Sequence, residues 1–391
     1  MSMRHWIDIT TTGKPRRIMQ ILRDPLRCAQ PLALGLLLVL VQAAQAEGWR
    51  AALPGWEYAF PRDHASHPDF QTEWWYFTGN LRAGDGREFG YQLTFFRQGV
   101  RPPGSPRASS RFVLDDMKFA HFAVTDLTRG KFHHFQQVSR GAFGEAGFEA
   151  GERLAWIGDW SCERTGLHSF SLRAAEGGVS VDLRMESAKP PVIHGNKGVS
   201  QKADGEGRAS HYYSLTRLVT SGTLEVDGTS FEVKGTSWFD HEWATNQLGA
   251  HQKGWDWFSL QFDDGSELML FQIRTDSGRD PHSGGTFILA DGGGSKIENA
   301  DFELEPDAWW ESPQTKGRYP VGWHLSVPKL GLDLRVRARL DAQELASQPF
   351  AYWEGAVEAT GKREGNALRG TGYLEMTGYA GRIVGLQAPV E

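Results

Sequence analysis

The sequence contains one structural pattern twice, and this repeat limits the folds open to the chain. Each copy has an aromatic strand, a turn that contains Asp-Gly, and a second, apolar strand. The first copy comprises residues 74–81 followed by Asp85-Gly86, and the second comprises residues 255–262 followed by Asp264-Gly265. Because Gly and Asp tolerate the positive φ angles of tight hairpins, both copies predict a β-hairpin.

The carboxyl-terminal ends of the two repeats also match. Residues 369–376 align with residues 234–241, each after an acidic residue and a glycine. Glu375 and Met376 then stand where the first copy has Asp240 and His241. Two β units of similar topology are therefore predicted, of which the first is longer by insertions.

The composition and periodicity favour an all-β chain. It has 46 Gly and 15 Trp, with short alternating segments and little helical periodicity. Closure into a barrel removes exposed strand edges, and a barrel of about eight strands can hold one small ligand. We expect two tandem antiparallel β-barrels; a pair of β-sandwiches is the alternative that periodicity leaves open.

The first 46 residues have the pattern of a secretory signal. The apolar run 31–41 follows Arg16, Arg17, Arg23 and Arg27, and Ala44-Gln45-Ala46 supplies small residues for cleavage after Ala46. The apolar run has 11 residues, about half of the ~20 that span a bilayer, so we expect no transmembrane segment in the mature chain. Export to the periplasm or outside the cell is predicted. Translation starts at one of three methionines, Met1, Met3 or Met19.

Charge and cysteine content exclude several classes of function. Residues 1–46 contain six basic and two acidic side chains, so the mature chain has 42 − 6 = 36 Lys and Arg against 48 − 2 = 46 Asp and Glu, a net charge of −10. Such a chain is a poor nucleic-acid binder. Cys162 is the only cysteine after the signal, which excludes an intrachain disulfide and a cysteine metal cluster.

The two repeats, and the loss of alternating apolar and polar residues between them, suggest how the chain divides into domains. A long loop rich in Pro, Gly and Lys spans residues 189–210, over a barrel mouth or between domains. The predicted division is a signal peptide at 1–46, a first barrel at 47–243, a linker at 244–253 and a second barrel at 254–391.

Motifs rich in tryptophan carry a resemblance to a known family. They lie at residues 72–80, 237–243, 254–258, 352–356 and 372–378. The chain resembles the lipocalin-like family related to carotenoid 1,2-hydratases, in particular its secreted branch of AttH-like proteins. The resemblance implies two lipocalin-like (calycin) barrels and an apolar or amphipathic ligand such as a lipid or isoprenoid. It also implies an ABC-type export system as a possible partner, since secreted members tend to be encoded beside such transporters.

The same resemblance implies a reaction without a cofactor. Carotenoid hydratases add water across a C=C bond, and their His-x-Trp motif matches His241 and Trp243. Their later Tyr-x-Asp motif has no counterpart in this sequence, although Asp256 is an acid at a nearby position.

The candidate catalytic residues are His241 and three acids, namely Asp240, Glu73 and Asp256. Alternate strand residues share a face, so Asp240 and Glu242 should point away from His241 and Trp243. Histidine ordinarily titrates near neutral pH, so His241 is a candidate for proton transfer. A structural histidine satisfied by hydrogen bonds is equally compatible with the pattern. If His241 is catalytic, His241→Ala should abolish activity and leave the melting temperature nearly unchanged.

Glu73 is followed by Trp74 and Trp75, and Asp256 lies between Trp255 and Trp257. Desolvation by such neighbours would raise the pKa of a carboxyl group. Pairing of Glu73 with an arginine, or its bonding to an indole N–H, is the alternative, and the same caution applies to Asp256.

Aromatic residues supply both core and candidate ligand contacts. Most must be buried for stability, and some should line an apolar pocket. The candidate ligand-binding residues are Trp74, Trp75, Tyr76, Tyr91, Trp238, Trp243, Trp255 and Trp257.

Other site chemistries lack a sequence signal. The histidines show no spacing typical of metal ligands, so no metal is expected. A Gly-x-Ser-x-Gly nucleophile motif is missing from the sequence. The sequence thus favours an exported protein that binds an apolar ligand; the alternative is a hydro-lyase that acts on a C=C bond by proton transfer.

Overall fold

The computed structural model describes residues 48–106, 113–347 and 351–381. The predicted signal peptide and its cleavage site lie outside these residues. Strands dominate the described chain, joined by turns and four short 3-10 segments at Arg62–His64, Ala142–Gly144, Asn299–Asp301 and Pro328–Leu330. None of the described helical segments is long and apolar enough to cross a bilayer.

The first sheet contains thirteen antiparallel strands. Its main path runs in the order β4-β3-β2-β1-β13-β12-β9-β8-β7-β6-β5, and β10 and β11 pair with β12. Since β4 also lies against β6, the sheet curls into a nearly closed barrel. Its strands are β1 (Thr72–Ala83), β2 (Glu88–Gly99), β3 (Asp116–Asp126), β4 (Lys131–Ser139), β5 (Ala146–Phe148), β6 (Arg153–Ile157), β7 (Trp160–Arg164), β8 (Ser169–Glu176), β9 (Val179–Ser187), β10 (Val192–Ile193), β11 (Ser200–Gln201), β12 (Ala209–Val226) and β13 (Thr229–Ala244).

The second sheet contains eleven antiparallel strands and forms a half-barrel. Its path is β18-β17-β15-β14-β24-β23-β21-β20-β19, with β16 on β15 and β22 on β23. The predicted all-β class with two antiparallel units is confirmed. The strands are β14 (Gln252–Phe262), β15 (Glu267–Thr275), β16 (Gly278–Arg279), β17 (Gly284–Ile288), β18 (Gly294–Glu298), β19 (Glu303–Glu311), β20 (Arg318–Val327), β21 (Leu332–Ala338), β22 (Glu344–Ala346), β23 (Ala351–Arg363) and β24 (Asn366–Met376).

The strand register agrees with the repeat in the sequence. In the first sheet, β1 pairs with β13 so that Tyr76 lies opposite Asp240. In the second, β14 pairs with β24 so that Trp257 lies opposite Glu375. The two aromatic strands therefore occupy equivalent places, each beside the closing strand of its own unit.

Alternation along the strands separates two kinds of buried surface. Trp75 and Phe77 point into the first barrel, where they join its apolar core. Their neighbour Tyr76 points outward and packs with Trp257 and Phe271 of the second unit. Because burial of a large apolar side chain stabilises a fold by about 1.5–3 kcal/mol, both surfaces contribute to stability.

The two units approach closely where side chains are small. A Cβ atom on Gly90 of β2 would lie 2.6 Å from the Tyr373 hydroxyl and 2.9 Å from the Ala356 Cβ of the second unit. Both distances are shorter than van der Waals contact. Glycine at this position therefore permits the outer face of the first barrel to pack on the second sheet.

Candidate active site between the two barrels

A pocket lies where the outer faces of the two units meet. Its cavity volume is about 80 Å³, and it is partly open to solvent. Apolar rings form most of its wall, and four carboxyl groups and one lysine are set among them. The aromatic residues are Trp74, Tyr76, Phe96, Tyr212, Trp255, Trp257, Phe271 and Tyr352; the charged ones are Lys202, Asp240, Glu242, Glu354 and Glu375.

The repeat explains why these side chains meet. Trp74 and Tyr76 stand on the outward face of β1, and Trp255 and Trp257 stand on the matching face of β14. Each aromatic pair has an acid from the adjacent closing strand beside it. Packing of two similar faces against each other thus produces one aromatic pocket with acids from both units.

Asp240 is held by three donors. The Tyr212 hydroxyl donates to Oδ2 at 2.6 Å, the Trp238 indole donates to Oδ1 at 2.6 Å, and the Ser214 hydroxyl also donates to Oδ1. Burial and the nearby charge of Glu242 raise the pKa of Asp240 to about 7, against the lowering effect of these bonds. Asp240 therefore exchanges a proton near neutral pH.

Glu354 and Glu375 form a second acidic pair, because they lie opposite each other on β23 and β24. The Tyr76 hydroxyl donates to Glu354 Oε1 at 2.7 Å, while Oε2 is buried without a hydrogen-bond partner among the described residues. Burial raises the pKa of both carboxyl groups, and the charge of Glu375 adds to the effect on Glu354. Burial and the neighbouring Glu375 therefore favour the neutral, protonated form of Glu354.

Lys202 extends from the predicted loop at 189–210 to the pocket. Its Nζ lies 3.2 Å from Glu242 Oε1 and 4.4 Å from the centre of the Phe271 ring. The ammonium group balances the charge of Glu242 and leaves Asp240, Glu354 and Glu375 without a cation of their own in the pocket wall.

His241 lies on the opposite face of the same strand, inside the first barrel. Its Nε2 is 3.0 Å from Glu73 Oε1, and its Nδ1 is 3.0 Å from the Asp63 carbonyl oxygen. Glu73 also contacts His67 Nδ1 at 2.7 Å and accepts from Arg97 Nε at 3.1 Å. His241 and Glu73 do not line the pocket, and the structure separates them from Asp240 as the strand alternation predicted.

Asp256 occupies the interior of the second unit. Arg274 Nε lies 3.2 Å from its Oδ2, and Gln272 donates to the same oxygen at 2.7 Å. Burial raises the pKa of Asp256, which these partners and Tyr379 partly counteract. Asp256 is separated from the pocket by the strand that carries it.

The predicted ligand-binding aromatics divide between the two faces. Trp75, Tyr91 and Trp243 lie in the first barrel's core. Trp238 lies in the interface beneath Asp240. The predicted residues that line the pocket are Trp74, Tyr76, Trp255 and Trp257.

Several functional side chains were missed by sequence reasoning. Glu375 aligns with Asp240 in the sequence repeat. This equivalence was the sequence signal that both acids lie on the outward faces of their strands and line the same pocket. Glu354 lies within one of the tryptophan-rich motifs, but its acid character was not singled out. Tyr212 and Lys202 carried no sequence signal beyond their types.

Comparisons with known proteins agree with this architecture. A profile of the AttH-like family matches residues 51–379. The crystal structure of an AttH protein from Nitrosomonas europaea is 32% identical, with a TM-score of 0.75 over 84% of this chain and 99% of that one. Kievitone hydratase from Nectria haematococca shares the fold at 15% identity, with a TM-score of 0.66 over 85% of this chain and 98% of the hydratase.

A curated relative also matches in sequence. The dehydratase AsqC from Emericella nidulans is 23% identical over 272 residues, which cover 65% of this chain and 75% of that protein. The family profile extends from the segment before β1 to the residues after β24, and so includes both units and the pocket between them. The chain therefore belongs to the AttH-like family of lipocalin-like proteins.

Proposed function

We propose that this protein is a hydro-lyase that adds water to, or removes it from, an apolar substrate bound between the two barrels. The observation that carries the proposal is Glu354, a buried acid in an aromatic pocket whose Oε2 has no hydrogen-bond partner in the described part of the chain. Such a group can donate a proton at neutral pH. The names of the hydratase and dehydratase among the relatives support the same reaction class.

The pocket supplies an acid and a base for the two proton transfers. In dehydration, Glu354 protonates the departing hydroxyl group, which leaves as water when its C–O bond breaks. Asp240, as a carboxylate, takes the proton from the neighbouring carbon, and the electrons of that C–H bond form the C=C bond. Hydration is the reverse: Asp240, now the acid, protonates the alkene carbon, and Glu354, now the carboxylate, accepts a proton from the attacking water.

The lining indicates the class of substrate. Indole and phenol rings bind flat, conjugated or isoprenoid groups, and their faces stabilise positive charge that develops on carbon. A protonated alkene carries such charge. We propose an isoprenoid or aromatic alkene, or the corresponding alcohol, as the substrate. The proton transfers use only side chains of this chain.

Non-catalytic binding is the second candidate function. The apolar wall of the pocket favours it, because carriers of lipids and isoprenoids need the same surface. Export to the periplasm and cooperation with an ABC-type export system belong to this proposal. Export rests on the signal-like sequence at 1–46, and the export system rests on what the family resemblance implies.

A substrate panel in isotopically labelled water distinguishes the two functions. The protein is incubated with isoprenoid and aromatic alkenes and with their alcohols, and the products are analysed by mass spectrometry. Hydration predicts uptake of labelled oxygen that Glu354→Gln abolishes. Asp256→Asn is the control, since it changes a buried acid outside the pocket. Binding of the compounds without conversion would contradict the enzymatic proposal and favour carriage.

A further inference from the structure

The interior of the first barrel contains a second polar site, distinct from the pocket. We name it the His-Glu-His cluster: His67, Glu73 and His241. Their exposed fractions are 8%, 1% and 0%, and one potential ligand atom from each lies within 4.8 Å of the others. His67 lies in the segment before β1, Glu73 lies on β1, and His241 lies on β13. The fold therefore brings together three side chains whose spacing in the sequence is not typical of metal ligands.

The hydrogen bonds around His241 determine which nitrogen carries its proton. The His64 Nε2 lies 2.9 Å from the Leu167 carbonyl oxygen and donates to it, so His64 Nδ1 accepts from the Tyr213 hydroxyl at 2.6 Å. The Tyr213 hydroxyl also lies 3.3 Å from His241 Nδ1, but its single proton is already donated to His64. His241 Nδ1 must therefore donate to the Asp63 carbonyl oxygen at 3.0 Å.

This assignment leaves the other nitrogen of a neutral His241 as an acceptor. Its Nε2 lone pair points at Glu73 Oε1 from 3.0 Å. Two acceptors at that distance repel each other unless a cation lies between them. The cation is either a second proton on the imidazole or a metal ion.

His67 repeats the arrangement from another direction. Its Nε2 faces Asp63 Oδ1 at 3.4 Å, and its Nδ1 faces Glu73 Oε1 at 2.7 Å. With the Nε2 proton directed to Asp63, the Nδ1 lone pair also points at the Glu73 oxygen. The His67 ring is held in this orientation by stacking on Trp243, with 3.7 Å between ring centres.

The surroundings match those of metal ligands in proteins. A ligating histidine usually donates its second N–H to a carboxylate or a backbone carbonyl, and here Asp63 supplies both kinds of acceptor. The second oxygen of Glu73 accepts from Ser66 Oγ at 3.0 Å and from Arg97 Nε at 3.1 Å. All three side chains are thus oriented by outer partners.

We propose that the His-Glu-His cluster binds one divalent first-row transition-metal ion, with zinc as the favoured ion. Two imidazole nitrogens and one carboxylate oxygen are ligands that zinc prefers, at about 2.0–2.2 Å from the ion. In a tetrahedral site these bond lengths place two ligand atoms about 3.4 Å apart. The present contacts of 2.7 and 3.0 Å therefore need to lengthen by about 0.7 and about 0.4 Å. The ion joins the segment before β1 to two strands whose opposite faces line the pocket.

Metal analysis of the full chain tests this proposal. The purified protein, unfolded and refolded with zinc chloride and then dialysed, should retain about one zinc ion per chain by elemental analysis. Refolding with cobalt(II) should give the visible absorption of a four- or five-coordinate ion. The melting temperature should be higher after refolding with zinc than after refolding with EDTA.

Matched variants locate the ion. Glu73→Gln and His241→Gln should lose the bound metal, whereas His194→Gln should retain it. His194 is an equally buried histidine outside the cluster, held by Thr286 at 2.9 Å and Ser214 at 2.7 Å. Wild-type protein that retains no metal, with equal melting temperatures after both treatments, would show that protons hold the cluster together. Unchanged metal content in folded Glu73→Gln would also overturn the proposal. If the variants do not fold, the wild-type measurements still decide it.

Discussion

Replacement of Asp240 by asparagine should change how stability depends on pH. Asp240 is 4% exposed, and burial raises its pKa from the ordinary value of 3.8 to about 7. A carboxyl group with a raised pKa stabilises the fold most when it is protonated, at low pH. That contribution is lost as the pH rises through the folded pKa. Asparagine keeps the shape of the side chain and does not ionise.

The size of the effect follows from the change in pKa. At 1.36 kcal/mol per pKa unit, a rise from 3.8 to about 7 corresponds to about 4 kcal/mol. Between about pH 4 and pH 8, wild-type protein should therefore lose up to about 4 kcal/mol of unfolding free energy relative to Asp240→Asn. Differences in hydrogen bonding to Ser214, Tyr212 and Trp238 shift the two curves by an amount that does not depend on pH.

Urea unfolding of both proteins at a series of pH values measures this difference. Asp280→Asn is the control, because Asp280 is also buried but its hydrogen bonds hold its pKa below the ordinary value. Its contribution changes only in more acid solution, so its curve should run parallel to wild type above about pH 4. Parallel curves for wild type and Asp240→Asn would refute the reasoning about Asp240.

Three further predictions concern the acid of the pocket and the cluster in the barrel. Glu354→Gln should lower kcat about 10²–10⁴-fold. It should also raise the unfolding free energy at pH 8, because the side chain then no longer ionises on unfolding. Equal activity in a steady-state assay would exclude Glu354 as the proton donor. Tyr76→Phe removes the bond that lowers the pKa of Glu354, so the alkaline limb of the pH–rate profile should move to higher pH, at a cost of about 1 kcal/mol in stability. His241→Ala should destabilise the fold by about 3–5 kcal/mol, because Glu73 loses a buried partner, and calorimetry that finds an unchanged melting temperature would return His241 to a catalytic role.

The repeat and the strand alternation made much of the fold predictable. The alignment of residues 369–376 with 234–241 correctly anticipated that Glu375 and Asp240 occupy equivalent positions. Alternation correctly placed Asp240 on the face opposite His241. Both results follow from local chain geometry, since successive strand side chains point to opposite sides of a sheet.

The location of the site could not be predicted from strand alternation. Alternation shows that two residues lie on different faces, but it does not show which face meets another unit. The sequence predicts proton transfer at His241, but the side chain of His241 points into the closed interior of the first barrel. Only the packing of the second unit makes the outward face, with Asp240 and Glu354, into a pocket.

The His-Glu-His cluster was hidden for a related reason. His67 and Glu73 are close in the sequence, but His241 joins them only because β13 pairs with β1. The spacing of the histidines in the sequence therefore could not predict a cluster that is built from three separate segments.

Infrared difference spectroscopy at pH 7 tests the central claim most directly, which is that Glu354 is a neutral carboxylic acid in the pocket. Wild-type protein should show C=O stretching bands of protonated carboxyl groups in the folded state, to which Asp240, Asp256 and Glu375 also contribute. The component that comes from Glu354 should be lost in Glu354→Gln and kept in Asp256→Asn. A wild-type spectrum that Glu354→Gln leaves unchanged in this region would contradict the account, because Glu354 would then be ionised and unable to donate a proton.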